Sequence, residues 1–146
     1  MLSILSEYYE AADVVVRDSS GDIHEYLSGR GAFWLALRDR VAIGCIATRP
    51  LETVAARICE VKRLYGRSDH RGEGIAHGLY AALEAFASSA GFRWIYLDTN
   101  DGMRAAIRFY ERHGFERCER YNENPQATLF MRKPLIGDVT PSDPTR

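Results

Sequence analysis

One arrangement limits what this chain can become: a strand-like run, a polar loop with glycines, an amphipathic helix and a second strand-like run, in that order. Residues 56–64 alternate as a strand does. Ile58, Glu60, Lys62 and Leu64 fall on one face; Cys59, Val61, Arg63 and Tyr65 fall on the other. The loop Gly66-Arg67-Ser68-Asp69-His70-Arg71-Gly72-Glu73-Gly74 follows. A helix then carries Ile75, Leu79, Leu83 and Phe86 on one stripe and stops at Gly91. Residues 93–98, with Trp94, Ile95, Tyr96 and Leu97, read as the next strand. Two strands joined through a helix run parallel if they are neighbours, so the chain is expected to be an α/β protein containing a crossover.

The flanking segments supply the rest of the sheet. The runs at residues 32–37 and 41–47 are apolar and are separated by Arg38-Asp39-Arg40, which predicts a hairpin ended by Pro50. A helix is expected at residues 102–113, stopped by Gly114, and a last pair of strands at residues 115–121 and 128–132. Near the start, residues 2–12 and 22–27 read as helices, and Val14-Val15-Val16 is too short to assign. Residues 1–135 are expected to form one domain and residues 136–146, with Pro141 and Pro144, a mobile tail.

Composition narrows the function. A net charge of −1 offers no basic surface for nucleic acid and no polybasic signal for a membrane. No apolar run approaches the ~20 residues of a membrane span, and the first residues lack the pattern of a secretory signal. Cys45, Cys59 and Cys118 have no metal-ligand spacing and no Cys-x-x-Cys. They read as small hydrophobes in a reducing cytoplasm, and no metal is expected.

The loop carries the chemistry. A helix start offers unpaired N–H groups and partial positive charge to an anion. Gly72 and Gly74 let a backbone approach a ligand closely, and Arg71 adds donors suited to phosphate. The Gly-Lys-(Ser/Thr) ending of a nucleotide-hydrolysing loop is absent, and the Gly-x-Gly-x-x-Gly spacing is broken at Ala76. A pyrophosphate that is held but not hydrolysed is the best fit.

Four stretches in order resemble one family. Arg71-Gly72-Glu73-Gly74-Ile75-Ala76 matches the (Arg/Gln)-x-x-Gly-x-(Gly/Ala) signature of the GNAT acyltransferases. Cys59-Glu60-Val61-Lys62-Arg63-Leu64-Tyr65 resembles their fourth strand, and Leu97-Asp98-Thr99 the end of their fifth. Residues 106–115 resemble their closing Ala-Ile-x-x-Tyr-x-x-x-Gly-Phe element. Tyr121-Asn122-Glu123-Asn124-Pro125 and Phe130-Met131 are similar to a small bacterial subgroup. The resemblance spans residues 32–135.

It implies a mixed, mostly antiparallel sheet with flanking helices, whose parallel fourth and fifth strands splay into a V that holds acetyl-CoA. By similarity, Leu64, Tyr65 and Gly66 would lie along the pantetheine. Arg71, Gly72, Glu73, Gly74, Ile75 and Ala76 would hold the pyrophosphate. The implied reaction is direct attack of an amine on the thioester. Tyr110 matches the tyrosine that protonates the leaving thiolate, and Glu60 is the candidate general base. Each has a plainer reading: Tyr110 as a core aromatic, Glu60 as an ion-pair partner of Lys62 or Arg63. His70 and His113 are expected in solvated or capping roles. Trp34, Tyr8, Tyr9 and Tyr121 could line an acceptor site, with ordinary packing as the default.

The chain departs from the pattern in two places. Met103 stands where many members have a cofactor-contacting Asn, and Asn100 is the substitute. The family's first strand is not evident before the helix at residues 2–12, so it is expected to be absent or to lie upstream. A missing edge strand would favour a homodimer. The resulting expectation is a cytoplasmic N-acetyltransferase acting on an amine of a small molecule or protein. The alternative is a non-catalytic acyl-CoA-binding, sensing or interaction module.

Overall fold

The computed structural model describes residues 15–18, 31–51, 57–66 and 74–135. The helices expected at residues 2–12 and 22–27, together with His70, Arg71, Gly72, Glu73 and the tail at 136–146, lie outside the described residues.

Strands β1 (Val15–Asp18), β2 (Ala32–Arg38), β3 (Val41–Pro50) and β4 (Ile58–Gly66) lead into helix α1 (Ile75–Ser89). Strand β5 (Trp94–Thr99), helix α2 (Arg104–Arg112), β6 (Glu116–Cys118) and β7 (Leu129–Pro134) follow. The strands form one sheet in the order β1-β2-β3-β4-β5-β7-β6. Only β4 and β5 run parallel, as the crossover through α1 requires; the other neighbours are antiparallel.

Two expectations need correction. A strand does stand at the sheet edge ahead of the β2–β3 hairpin: Val15–Asp18 pairs antiparallel with β2, Val15 opposite Leu37 and Asp18 opposite Trp34. Four residues carry too little periodicity to announce a strand; the ladder along β2 makes it one. The second correction concerns Leu64, which leaves the face of Ile58, Glu60 and Lys62. Cys45 pairs with Tyr65 but Ala47 pairs with Lys62, so Ile46 stands opposite both Arg63 and Leu64. The extra residue is a β-bulge, which reverses the alternation beyond it. Leu64 therefore packs with the cluster containing Cys59 and Val61.

The hairpin between β2 and β3 turns at Asp39 and Arg40, whose φ of 50° and 67° are the positive angles a two-residue turn needs. α1 ends as Gly91 predicts. Its φ is 87°, its N–H reaches Ser88 O at 3.2 Å, and Phe92 N–H reaches Ala87 O at 3.0 Å, a Schellman stop.

Both helices pack on one face of the sheet. Ile75, Leu79 and Leu83 of α1 and Ile107 and Tyr110 of α2 meet Ile46, Val61, Leu97 and Met131. Leu79 and Leu83 are fully buried, each contributing about 1.5–3 kcal/mol relative to exposure. Gly44 sets how closely α1 approaches. A Cβ there would lie 2.8 Å from Tyr65 O, 3.0 Å from Ile75 Cγ2 and 3.1 Å from Leu79 Cδ1. The opposite face carries Leu51, Ile58, Trp94 and Tyr96, with Tyr121 packed against them.

Candidate active site

The parallel pair at the centre of the sheet comes apart. Its rungs join Ile58 to Trp94, Cys59 to Ile95 and Glu60 to Tyr96, and then stop. β4 continues to Gly66 and β5 to Thr99 without a further rung between them among the described residues. The bulge at Arg63 and Leu64 lies within this unpaired stretch and bends β4. Leu64, Tyr65 and Gly66 line the β4 side of the opening, and Tyr65 is exposed.

The start of α1 completes one end. Gly74 is its N-cap, with a φ of 76°, and no side chain caps the turn. The first helical bond runs from Gly78 N–H to Gly74 O at 3.0 Å. The amides of Ile75, Ala76 and His77 thus precede the first intrahelical donor and meet no acidic residue in the first turn. A Cβ on Gly74 would meet nothing within 4 Å, so the space before these amides is open. That is the setting in which helix starts bind anions.

A polar network closes the other end. Glu60, buried to 1% exposure, accepts from Tyr121 Oη at 2.6 Å, Arg49 Nε at 3.3 Å and Asn122 Nδ2 at 3.4 Å. Asp98 of β5 accepts from Asn122 Nδ2 at 2.6 Å and Asn124 Nδ2 at 3.3 Å. Lys62 Nζ reaches the two Asp98 oxygens at 3.0 and 3.1 Å and lies 3.6 Å from Glu60 Oε2. Lys62 and Asp98 each sit two residues past the last rung, so their ion pair spans the opening where a rung would have been. The turn carrying Tyr121, Asn122 and Asn124 is itself tied down. Asn124 N–H donates to Asn122 Oδ1 and Gln126 N–H to Asn124 Oδ1, both at 3.0 Å. Arg120 donates to the carbonyls of Asn122, Asn124 and Ala127.

The network shifts its own titrations. Burial acts to raise Asp98, but the hydrogen bonds and charge of Lys62 and the amides of Asn122 and Asn124 outweigh it, and its carboxyl titrates below the usual value. Burial first, then the charge and hydrogen bond of Glu60, push the Tyr121 phenol up.

Tyr110 lies on the buried face of α2, with its ring 5.4 Å from that of Phe115. Burial, and then the charge of Asp98, push its phenol up, so it keeps its proton. Asn100 accepts Gly102 N–H on Oδ1 at 3.0 Å, in the turn that opens α2. Met103 caps α2 and is exposed. His113 has a capping position: its Nδ1 donates to Phe109 O at 2.9 Å, which leaves Nε2 to accept from His77 Nδ1 at 3.0 Å.

Glu60 therefore meets Lys62, as its plainer reading held, but also four side chains beyond its own strand. Asp98, Asn122, Asn124 and Arg49 were not foreseen at the site. Lys62 and Asp98 were visible as charges within two strands expected to be parallel neighbours, which is the signal that could have joined them.

The sequence model of the acetyltransferase (GNAT) family matches residues 1–115. The chain belongs to the GNAT acetyltransferase family. An uncharacterized N-acetyltransferase of Schizosaccharomyces pombe is 34% identical over 101 residues, which are 67% of this chain and 61% of that protein. The chain spans about half the length of other curated relatives it matches. Among solved structures, a GNAT acetyltransferase of Staphylococcus aureus superposes with a TM-score of 0.72 at 23% identity, covering 77% of this chain and 73% of that one. A GNAT acetyltransferase of Elizabethkingia anophelis, solved with acetyl-CoA bound, superposes at 0.66 with 14% identity, covering 84% and 98%. These likenesses establish the GNAT fold: a seven-stranded mixed sheet with a helical layer. Among the described residues no His, Cys, Asp and Glu group could hold a metal ion, and no helix is long and apolar enough to cross a membrane.

Proposed function

We propose that this GNAT protein transfers the acetyl group of acetyl-CoA to a primary amine of a small molecule or protein, by direct attack in a ternary complex. The observation that carries the reading is the loss of every β4–β5 rung beyond Glu60 and Tyr96. It opens a slot whose β4 edge has main-chain groups for the pantetheine amides. The uncapped amides of Ile75 and Ala76 at the α1 start suit the pyrophosphate, and Arg71, Gly72 and Glu73 belong to the same proposed loop. Leu64, Tyr65 and Gly66 would lie along the cofactor, and Asn100 has its side-chain NH2 to offer it.

Acetyl-CoA supplies an activated thioester. The chain's own groups have three tasks. The acceptor reaches the protein as an ammonium, with a pKa near ~10.4, and must lose a proton before its nitrogen can attack. Glu60 takes that proton, directly or through water. The N–C bond forms as the C–S bond breaks, and Tyr110 gives its proton to the departing sulfur. A buried phenol kept protonated suits that role. The turn with Tyr121, Asn122 and Asn124 forms part of the acceptor wall. The setting is cytoplasmic, where Cys45, Cys59 and Cys118 stand as thiols.

Calorimetry with acetyl-CoA, followed by CoA release across a panel of amines, tests the reading. Amine-dependent release supports the enzyme. Binding without release from any amine leaves an acyl-CoA-binding module, and no binding sinks both.

A further inference from the structure

The arrangement around Asp98 bears on which amines the site can take. The carboxylate has about four acceptor positions, and all are in use: two contacts from Lys62, one each from Asn122 and Asn124. An arriving ammonium cannot be added to it; a donor must leave. Asn122 and Asn124 are held by the hydrogen bonds of their own turn. Lys62 is the donor on a long flexible stem, and its side chain is 19% exposed.

The residue type fits an exchangeable partner. The chain has two lysines against seventeen arginines. Arginine would grip Asp98 with a two-pronged fork, whereas lysine is a point charge that swings away on its stem. At the one position that bridges the splayed strands, this arginine-rich chain has lysine.

Charge completes the case. Among the described side chains of the network, Glu60 and Asp98 balance Arg49 and Lys62. A simple amine entering as an ammonium would add an uncompensated charge to a largely buried cluster, which is costly. An acceptor that also carries an anion adds none, and gives the displaced Lys62 a new partner.

We infer that Lys62 occupies, on Asp98, the seat of the acceptor's ammonium, and that the acceptor is a zwitterion: a primary amine with a carboxylate close by, such as an α-amino acid. On binding, the acceptor's ammonium replaces Lys62 on Asp98 and Lys62 turns to the acceptor's carboxylate. This rests on the acetyltransferase reading and deepens it.

The test uses three acceptors differing in one group: L-methionine, L-methioninamide and 3-(methylthio)propylamine. CoA release is followed with the full chain, after calorimetry has established acetyl-CoA binding. The free acid is expected to exceed both others in kcat/KM by about tenfold or more, the size of one charge-assisted contact. Lys62→Met should bring that ratio to about one. Lys62→Arg should keep the preference but raise KM for the acid, because the fork holds Asp98. Acetyl-CoA affinity should be unchanged in both variants, which shows that they fold. Equal or better use of the amide or the simple amine overturns the inference while leaving the acetyltransferase reading intact. So do turnover of none of the three by a protein that binds acetyl-CoA, a preference that survives in Lys62→Met, and a Lys62→Arg enzyme as active as wild type. Failure to bind acetyl-CoA removes the reading beneath it instead.

Discussion

Tyr121 donates its hydroxyl proton to Glu60 Oε2 at 2.6 Å, joining the turn after β6 to the middle of β4. The bond is short and charge-assisted, and the carboxylate it serves is buried. Tyr121→Phe keeps the ring among Tyr96 and Phe130 and removes only the donor. It should cost about 1.5–3 kcal/mol, the range for a bond to a charged group. Urea unfolding at pH 7 measures it; a loss below ~0.5 kcal/mol would mean that Arg49 and Asn122 satisfy Glu60 without help.

Asp98 should give the fold an acid limb. Its folded pKa is lowered, the donors from Lys62, Asn122 and Asn124 outweighing burial. Below the ordinary carboxylate value of about 3.9 the unfolded chain takes up the proton first. The contribution is therefore fully present above that value and is lost as pH falls through the lower folded one. Asp98→Asn should be less stable than wild type at pH 6 by a margin that holds down to about pH 5 and narrows below about 4. Unfolding curves from pH 6 to 3 would reveal it, and a margin that widens on acidification would reverse the sign.

The sheet and the crossover were legible because their signals are local. Alternation in β2, β3 and β5, the α1 stripe and the stops at Gly91 and Gly114 are each set by neighbours in sequence. What escaped notice depends on pairing. Val15–Asp18 is a strand only because β2 offers it a ladder. Leu64 changes face because of a bulge defined against Ile46. The site divides in the same way. Glu60 and Tyr110 could be singled out from their motifs. The joining of Glu60 to Asp98 runs through Asn122, which is remote in sequence from both.

Gly44→Ala tests the seat of α1. Its added methyl would lie 2.8 Å from a main-chain oxygen, and a carbonyl on β4 yields less easily than a side-chain tip. Overpacking of this kind costs about 1–3 kcal/mol. The same push moves the ends of β4 and α1 that border the opening, so acetyl-CoA affinity should fall together with the melting temperature. A variant as stable as wild type would show that the contact relaxes freely.

Two substitutions at Gly74 separate backbone strain from charge. With φ at 76° any side chain is strained, by about 1 kcal/mol, while space around it is open. Gly74→Ala should therefore lose about that much stability and retain most acetyl-CoA affinity. Gly74→Glu carries the same strain and sets a negative charge at the helix start, against the proposed pyrophosphate. It should lose binding by at least a hundredfold, as read by calorimetry. Equal affinities for the two variants would move the phosphate away from this helix.

Tyr110→Phe isolates the proposed acid. The ring stays in its pocket beside Phe109 and Phe115, and among the described residues its hydroxyl makes no hydrogen bond whose loss would destabilise the fold. Stability should change by less than ~1 kcal/mol. Acetyl-CoA affinity should hold, since the hydroxyl serves the leaving sulfur and not the bound thioester. Turnover should fall on the order of a hundredfold, the lower end for loss of a positioned proton donor. Because burial and Asp98 push the phenol up, wild-type kcat should show no alkaline loss from this group below about pH 10, the unperturbed phenol value. Single-turnover kinetics with acetyl-CoA and a working amine would measure the drop; an unchanged rate would return Tyr110 to the core as one more packed aromatic.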